Sequence, residues 1–202
     1  MYFLSMKQLW VIATENPGKI KEFANLMGTA LYEYKSLTDI GFNESTKETG
    51  STFNENAEIK AKAVHLFLKE KGMTATVLAD DSGLEVEALN GAPGIYTGRY
   101  AGDCASDKEN YELLLQRLKG EPNRRARFVC VLCVQKMDGA PLFFEGECHG
   151  LITEEPIGNE GFGYDPVFLP NGHSRTFAQM NLAEKKALSH RGEAIQKMLA
   201  YL

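Results

Sequence analysis

Leu9-Trp10-Val11-Ile12-Ala13-Thr14-Glu15-Asn16-Pro17-Gly18-Lys19 is the stretch on which the fold turns. Residues 9–13 form a short apolar run that reads as a buried strand. The polar residues after it open a helix: Asn16 suits the N-cap, Pro17 the first helical position, and Ile20, Phe23, Ala24 and Met27 recur at helical spacing. Strand, polar turn and helix start in succession make a βα unit. Amides at such a helix start donate to anions, the helix dipole adds to them, and Lys19 supplies a mobile positive charge. The Walker spacing is absent, so the turn is not a P-loop.

Outward from this unit, residues 31–35 suit a second strand and residues 38–50, polar and aperiodic, an exposed loop. Thr52-x-x-Glu55 has capping-box spacing, and Phe53, Ala57, Ala61, Val64 and Leu68 form one apolar stripe that ends before Gly72. Residues 76–79 return as a strand that ends at Asp80-Asp81-Ser82-Gly83, with alternation resuming at Leu84, Val86 and Ala88. A further helix opens at Ser106-x-x-Glu109, with Tyr111, Leu114, Leu115 and Leu118 facing inward. Two β-runs, 126–136 and 142–149, join through the hairpin signal Asp138-Gly139. A glycine-rich loop at 158–163, a short strand at 166–168 and a final helix bearing Ala194, Ile195, Met198, Leu199 and Leu202 complete the chain. The pattern predicts an α/β fold: a mixed sheet with flanking helices, one domain over residues 1–202, bent into two lobes without a clean sequence boundary.

Composition narrows the function. The 202 residues carry 22 lysines and arginines against 27 acidic residues, a formal charge of −5, which gives no field for nucleic-acid backbones. The longest apolar stretch, around residues 128–134, is far shorter than the roughly 20 residues needed to span a bilayer. The N-terminus lacks a basic n-region and a cleavage site, so a cytoplasmic location is expected. Of the four cysteines, Cys130 and Cys133 lie three apart on a predicted strand and so face opposite ways; they and the others read as buried, reduced thiols rather than metal ligands.

Four segments carry chemistry. Thr14 to Lys19 suits a phosphate. Adjacent carboxylates at Asp80 and Asp81 repel unless a cation compensates, and magnesium, a hard ion that uses carboxylate and phosphate oxygens, would do so. Gly161-Phe162-Gly163-Tyr164-Asp165-Pro166 lets backbone approach a ligand and offers an aromatic face to a base. Ser189-His190-Arg191-Gly192, with Lys185 before it, supplies donors for phosphate or base oxygens. Together they favour an anionic, nucleotide-like ligand with a divalent cation.

These segments, with Glu48-Thr49-Gly50, Thr52-Phe53-x-Glu55-Asn56-Ala57, Gly91-Ala92-Pro93-Gly94-Ile95-Tyr96 and Arg99-Tyr100, closely resemble the inosine triphosphate pyrophosphatase (Ham1-like) family over nearly the whole chain. The resemblance implies Mg2+-dependent hydrolysis of ITP, dITP and XTP to monophosphate and pyrophosphate, in a central cleft between two lobes of an elongated α/β homodimer. It implies Asp81 as catalytic carboxylate and metal ligand and Glu48 as second acidic ligand. Thr14, Glu15, Asn16, Pro17, Gly18 and Lys19 would hold the triphosphate with Ser82, and Lys19 would stabilise the leaving group. Phe162 would stack on the base, flanked by Gly163 and Tyr164, while Asp165, Lys185, His190 and Arg191 would line the nucleotide site. Many members carry an acidic residue where Lys47 stands, and the N-terminal extension, residues 1–7, lies outside the resemblance. Two other readings share these groups: a nucleotide sensor without turnover, and a pyrophosphatase for modified pyrimidines or standard nucleotides. A nucleic-acid-binding module is disfavoured by charge.

Overall fold

The computed structural model describes residues 7–28 and 31–202. Residues 1–6, most of the N-terminal extension, lie outside the described residues. The strands are β1 (Gln8–Ile12), β2 (Tyr32–Lys35), β3 (Thr76–Val86), β4 (Arg125–Gln135), β5 (Leu142–Ile152) and β6 (Phe168–Pro170). They form one six-stranded sheet in the order β2-β1-β3-β4-β5-β6. The helices are α1 (Pro17–Met27), α2 (Phe53–Glu70), α3 (Asp107–Arg117), α4 (Leu182–Leu188) and α5 (His190–Tyr201).

The sheet is mixed, as the pattern requires. β1 pairs in parallel with β2 and with β3, and β5 runs antiparallel to β6. A parallel strand covered on both faces must be apolar throughout, which is why Trp10, Val11, Ile12 and Val77, Leu78, Ala79 are uninterrupted and buried. α1 connects β1 to β2 and α2 carries the chain past β1 to β3, so the connections diverge at β1. The carboxyl end of such a strand is where open α/β sheets place ligands.

By contact density the described residues fall into two compact units. One comprises the chain up to Asp81 with Val131–Phe144 and Tyr201–Leu202; the other comprises Ser82–Cys130 and Glu145–Ala200. The core of the second gathers Leu84, Leu114, Leu118, Phe128, Ile152, Phe168 and Phe177. Within it Phe128 meets Phe168 edge-on at 4.7 Å.

Several local expectations are corrected. Asp80-Asp81-Ser82-Gly83 does not end a strand: β3 runs through it without a break, flanked by β1 and β4 and buried along most of its length. What ends there is β1, whose Ile12 sits opposite Leu78. The loop at 38–50 is not wholly exposed, because Ile40 closes a short 3₁₀ turn and the buried Phe42 ring packs edge-on against Phe67 at 5.3 Å. Residues Asp165–Val167 form a 3₁₀ turn and the strand follows it at β6; Pro166 has no N–H for a ladder. The last helix is preceded by a separate α4, which Asn181 caps through a complete capping box. Leu202 lies beyond α5 and is exposed. Glu55 of the predicted capping box reaches Ser51 instead of Thr52, although Thr52 does accept from the Glu55 N–H. Cys130, Cys133 and Cys148 are buried and free; Cys104 is exposed.

Candidate active site

In the first unit the site begins where β1 stops. Asn16 Oδ1 accepts from the Lys19 N–H at 3.4 Å and Thr14 Oγ1 accepts from the Asn16 N–H, so the turn is capped as its sequence predicts. Glu15 is exposed beside it. Pro17 and Gly18 open α1. Lys19, in the first turn of α1, meets the Asp80 carboxylate at 2.8 Å.

Asp80 and Asp81 are successive residues of an extended strand, so their side chains leave it on opposite faces. Asp80 pairs with Lys19. Asp81 pairs with Lys60 of α2, whose Nζ lies 3.0 Å from Asp81 Oδ1 and 2.9 Å from Glu48 Oε1. The repulsion expected of neighbouring carboxylates is thereby met by two lysines from two helices. Asn56, one turn before Lys60, donates from Nδ2 to Asp81 Oδ2 at 3.3 Å. Both oxygens of Asp81 are therefore bonded from residues at i and i+4 of one helix.

The charges set one another. Burial raises the Asp81 carboxyl above its usual range; the attraction of Lys60 only partly opposes this, and Glu48 adds to the rise. Burial alone would lower Lys60, but Asp81, Asp80 and Glu48 together outweigh it and hold the ammonium above its ordinary value. Lys60 is a cation paired with two carboxylates, Glu48 and Asp81, and it feels the charge of a third, Asp80. The charge of Lys19 also reaches Asp81 and favours its ionised form.

Lys60 is not among the residues the sequence reading singles out, and Asn56 enters there only as part of a motif, without a role. The signal is there in retrospect: both sit at i+3 from members of the apolar stripe Phe53, Ala57, Ala61, so each borders the face of α2 that packs inward. A buried asparagine at the edge of an apolar stripe needs polar partners, and Asp81 is one of those that meet Asn56.

Glu48 and Asp81 are the pair expected to hold a metal. Among the described residues no group of three or more histidine, cysteine or acidic side chains could form a metal cage. The pair nevertheless fits a hard divalent cation. Its donors are carboxylate oxygens, both already converge on a single cation, the Lys60 ammonium, and magnesium is commonly held by one or two carboxylates completed by phosphate oxygens.

In the second unit, Asp165 Oδ2 accepts from Lys185 Nζ at 2.6 Å and from the Phe162 N–H at 2.9 Å. The pair is almost fully buried, and the Lys185 ammonium also lies 4.8 Å from the Phe162 ring centre and 5.5 Å from that of Phe177. Gly161 makes this possible. Its φ is +82°, and a Cβ there would sit 2.0 Å from Asp165 Oδ2. The Gly163 N–H donates to Asp107 Oδ2 at 2.7 Å. Tyr164 is buried with its hydroxyl donating to the Thr97 carbonyl at 2.9 Å, and burial pushes that phenol upward.

His190 and Arg191 begin α5 and are both buried. The His190 ring stacks on Phe128 at 4.8 Å with an interplanar angle of 10°. Arg191 Nη2 donates to Ser82 Oγ at 3.3 Å. Ser82, the residue after Asp81 in β3, is thus fastened to the start of α5.

The geometry gathers some of the predicted residues and separates others. Glu48 and Asp81 share one cluster with Lys60 and Asn56, while Lys19 pairs with Asp80 on the opposite face of β3. Phe162, Asp165 and Lys185 share another, and Ser82 with Arg191 forms a third contact in the same unit as the second.

The Ham1 family profile matches residues 10–201. A dITP/XTP pyrophosphatase of an Exiguobacterium species is 46% identical over 190 residues, covering 94% of each chain. That of Bacillus subtilis is 45% identical over 190 residues, covering 93% of each. The solved structure of the Staphylococcus aureus Ham1 protein superposes with a TM-score of 0.85 at 41% identity, covering 96% of this chain and 97% of that one. A profile that spans almost the whole chain, with relatives of this identity and coverage, shows that the chain belongs to the Ham1 family.

Proposed function

We propose that this chain is a nucleoside triphosphate pyrophosphatase that splits ITP, dITP and XTP into the nucleoside monophosphate and pyrophosphate. One observation carries the reading: Lys60 draws Glu48 and Asp81 onto a single cationic point, in the same unit as the capped, lysine-bearing turn after β1. The names of the relatives, dITP/XTP pyrophosphatases, support the substrate class.

In this reading Asp81 orients a water and takes its proton as the water oxygen bonds to the α-phosphorus, while the α–β bridging oxygen leaves with pyrophosphate. Lys19 and Lys60 meet the charge that builds on the departing group. Thr14, the amides from Glu15 to Lys19, and Ser82 hold the phosphate chain. Glu48 and Asp81 would hold a divalent cation, magnesium in our proposal, which when bound neutralises phosphate charge.

Phe162 stacks on the base, and Lys185, His190 and Arg191 present donors toward its polar edge beside Asp165. Hypoxanthine and xanthine offer an oxygen at the purine 6-position, whereas adenine offers an amino group. Donor against donor leaves a buried group unpaired, at about 1–3 kcal/mol. We take residues 1–202 as one catalytic domain, acting in the cytoplasm as a homodimer. No helix among the described residues is long and apolar enough to cross a membrane.

Pyrophosphate release from ITP, XTP, GTP, ATP and dUTP, compared side by side with magnesium, tests the proposal. ITP and XTP should be strongly preferred. Equal turnover of ATP or dUTP would overturn the substrate assignment, and tight ITP binding without pyrophosphate release would make the protein a nucleotide sensor.

A further inference from the structure

We infer that Asn56 is a positioning residue for the reaction, its side-chain amide clamping the loop that carries Glu48 to the Asp81 carboxylate and so fixing the spacing of the two acidic groups. The catalytic consequence rests on the proposed function; the clamp rests on geometry alone.

Asn56 is 0% exposed, near the start of α2. Its Oδ1 accepts from the Gly50 N–H at 2.8 Å, and its Nδ2 donates to Asp81 Oδ2 at 3.3 Å. A backbone N–H can only donate, so Oδ1 must face Gly50 and Nδ2 must face Asp81. One rigid amide thus spans from the loop, two residues after Glu48, to β3.

The loop is shaped for this contact. A Cβ on residue 50 would lie 2.6 Å from Glu55 Cβ, 2.7 Å from Asn56 Oδ1 and 3.0 Å from Asn56 N, so only glycine brings the backbone onto the helix start. A second fastening follows at once, since Glu55 Oε2 accepts from the Ser51 N–H at 2.6 Å and from the Ser51 hydroxyl at 2.8 Å. The motif Glu48-Thr49-Gly50 with Glu55-Asn56 is therefore a docking device as much as a source of Glu48.

Lys60 bridges the same two carboxylates, but a lysine side chain has four rotatable bonds and sets no direction. Asn56 has two, and its amide plane is fixed at both ends. Buried asparagine serves a different purpose elsewhere in this chain. Asn110 accepts from the Ala101 N–H and donates to the Gly98 carbonyl, so it satisfies backbone only. Asn56 instead directs a donor at the carboxylate assigned to catalysis.

The test compares Asn56→Asp and Asn56→Ala with the parent, reading hydrogen exchange at the Gly50 amide without substrate and XTP turnover with magnesium. Asn56→Asp keeps the acceptor for Gly50 but sets a carboxylate oxygen against Asp81. It should retain slow Gly50 exchange and lose kcat by about a hundredfold, the scale on which small misplacement is felt, with KM little changed. Asn56→Ala should lose both; if it fails to fold, Asn56→Ser gives the same comparison. Parent-like kcat in the Asp variant would reduce Asn56 to a structural role, and unchanged Gly50 exchange in the Ala or Ser variant would remove the clamp. If the parent itself releases no pyrophosphate from XTP, the proposed function fails, while the Gly50 comparison still decides the clamp.

Discussion

Replacing Lys60 by methionine keeps the length of the side chain and removes its charge, leaving Glu48 and Asp81 facing one another in a largely buried site. Their Lys60 contacts are 2.9 and 3.0 Å, and the side chains of Lys60, Glu48 and Asp81 are 14%, 27% and 9% exposed. Breaking a buried pair by removing one partner costs about 3–5 kcal/mol. Glu48 retains some water, so the lower end, about 3 kcal/mol, is the expected loss at neutral pH. For a domain of this size each kcal/mol shifts Tm by about 2–4 °C, so Tm should fall by about 6–12 °C at pH 7.5.

The sign with pH follows from the same charges. Burial already raises Asp81 in the parent, and without the ammonium it rises further above its unfolded value of about 4, so the folded variant binds protons still more tightly than the unfolded chain. The deficit is small at pH 4 and opens as pH rises. Magnesium should restore Tm in the variant more than in the parent, because a second cation replaces the one removed; at a hundred times its Kd this amounts to about 2.7 kcal/mol. Thermal melts at pH 4 and 7.5, with and without magnesium, read all three effects. A deficit equal at both pH values and unmoved by magnesium would refute the view of Lys60 as counter-ion.

Asp81→Asn should fold, since Asn56 and Lys60 still flank a side chain of the same shape, and should lose about 10²–10⁴ in kcat for pyrophosphate release. Near-parental turnover would take the proton-accepting role from Asp81. Phe162→Ala should raise KM for ITP by about five- to 150-fold, the equivalent of about 1–3 kcal/mol of stacking, with kcat less affected; an unchanged KM counts against stacking. Of the four thiols, Cys104 alone should react with a thiol reagent in the native protein, and all four after unfolding. Burial pushes Cys133 to about 12 and Cys148 to about 11, so their contribution to stability is complete below the unfolded thiol value of about 8.5 and is lost as pH rises toward 11 to 12. An alkaline melt series checks it, and a Tm flat from pH 8 to 11 would contradict it.

The turn after β1 was fully legible, because capping is local: Asn16, Pro17 and the helical period of Ile20, Phe23 and Met27 lie within a few residues of one another. The buried β4 thiols were legible for the same reason, since period-two alternation separates Cys130 from Cys133. Asp80-Asp81-Ser82-Gly83 was misread as a strand end because these residues favour turns in isolation. Neighbouring strands and half-buried lysines outweigh that preference here. The contacts of Lys60 and Asn56 with Asp81 are not legible in the sequence because they lie 21 and 25 positions apart in the chain.

By itself the sequence determined the mixed α/β class, most of the strands and helices and the capped turn after β1, since each is set by spacing within a helix turn or a strand period. Tertiary structure alone decided which cation each carboxylate faces, that Asp80 and Asp81 are divided between Lys19 and Lys60, and that Gly50 lies against Asn56. Such pairings depend on how α1, α2 and β3 are brought together in space, and no local preference of the chain encodes that.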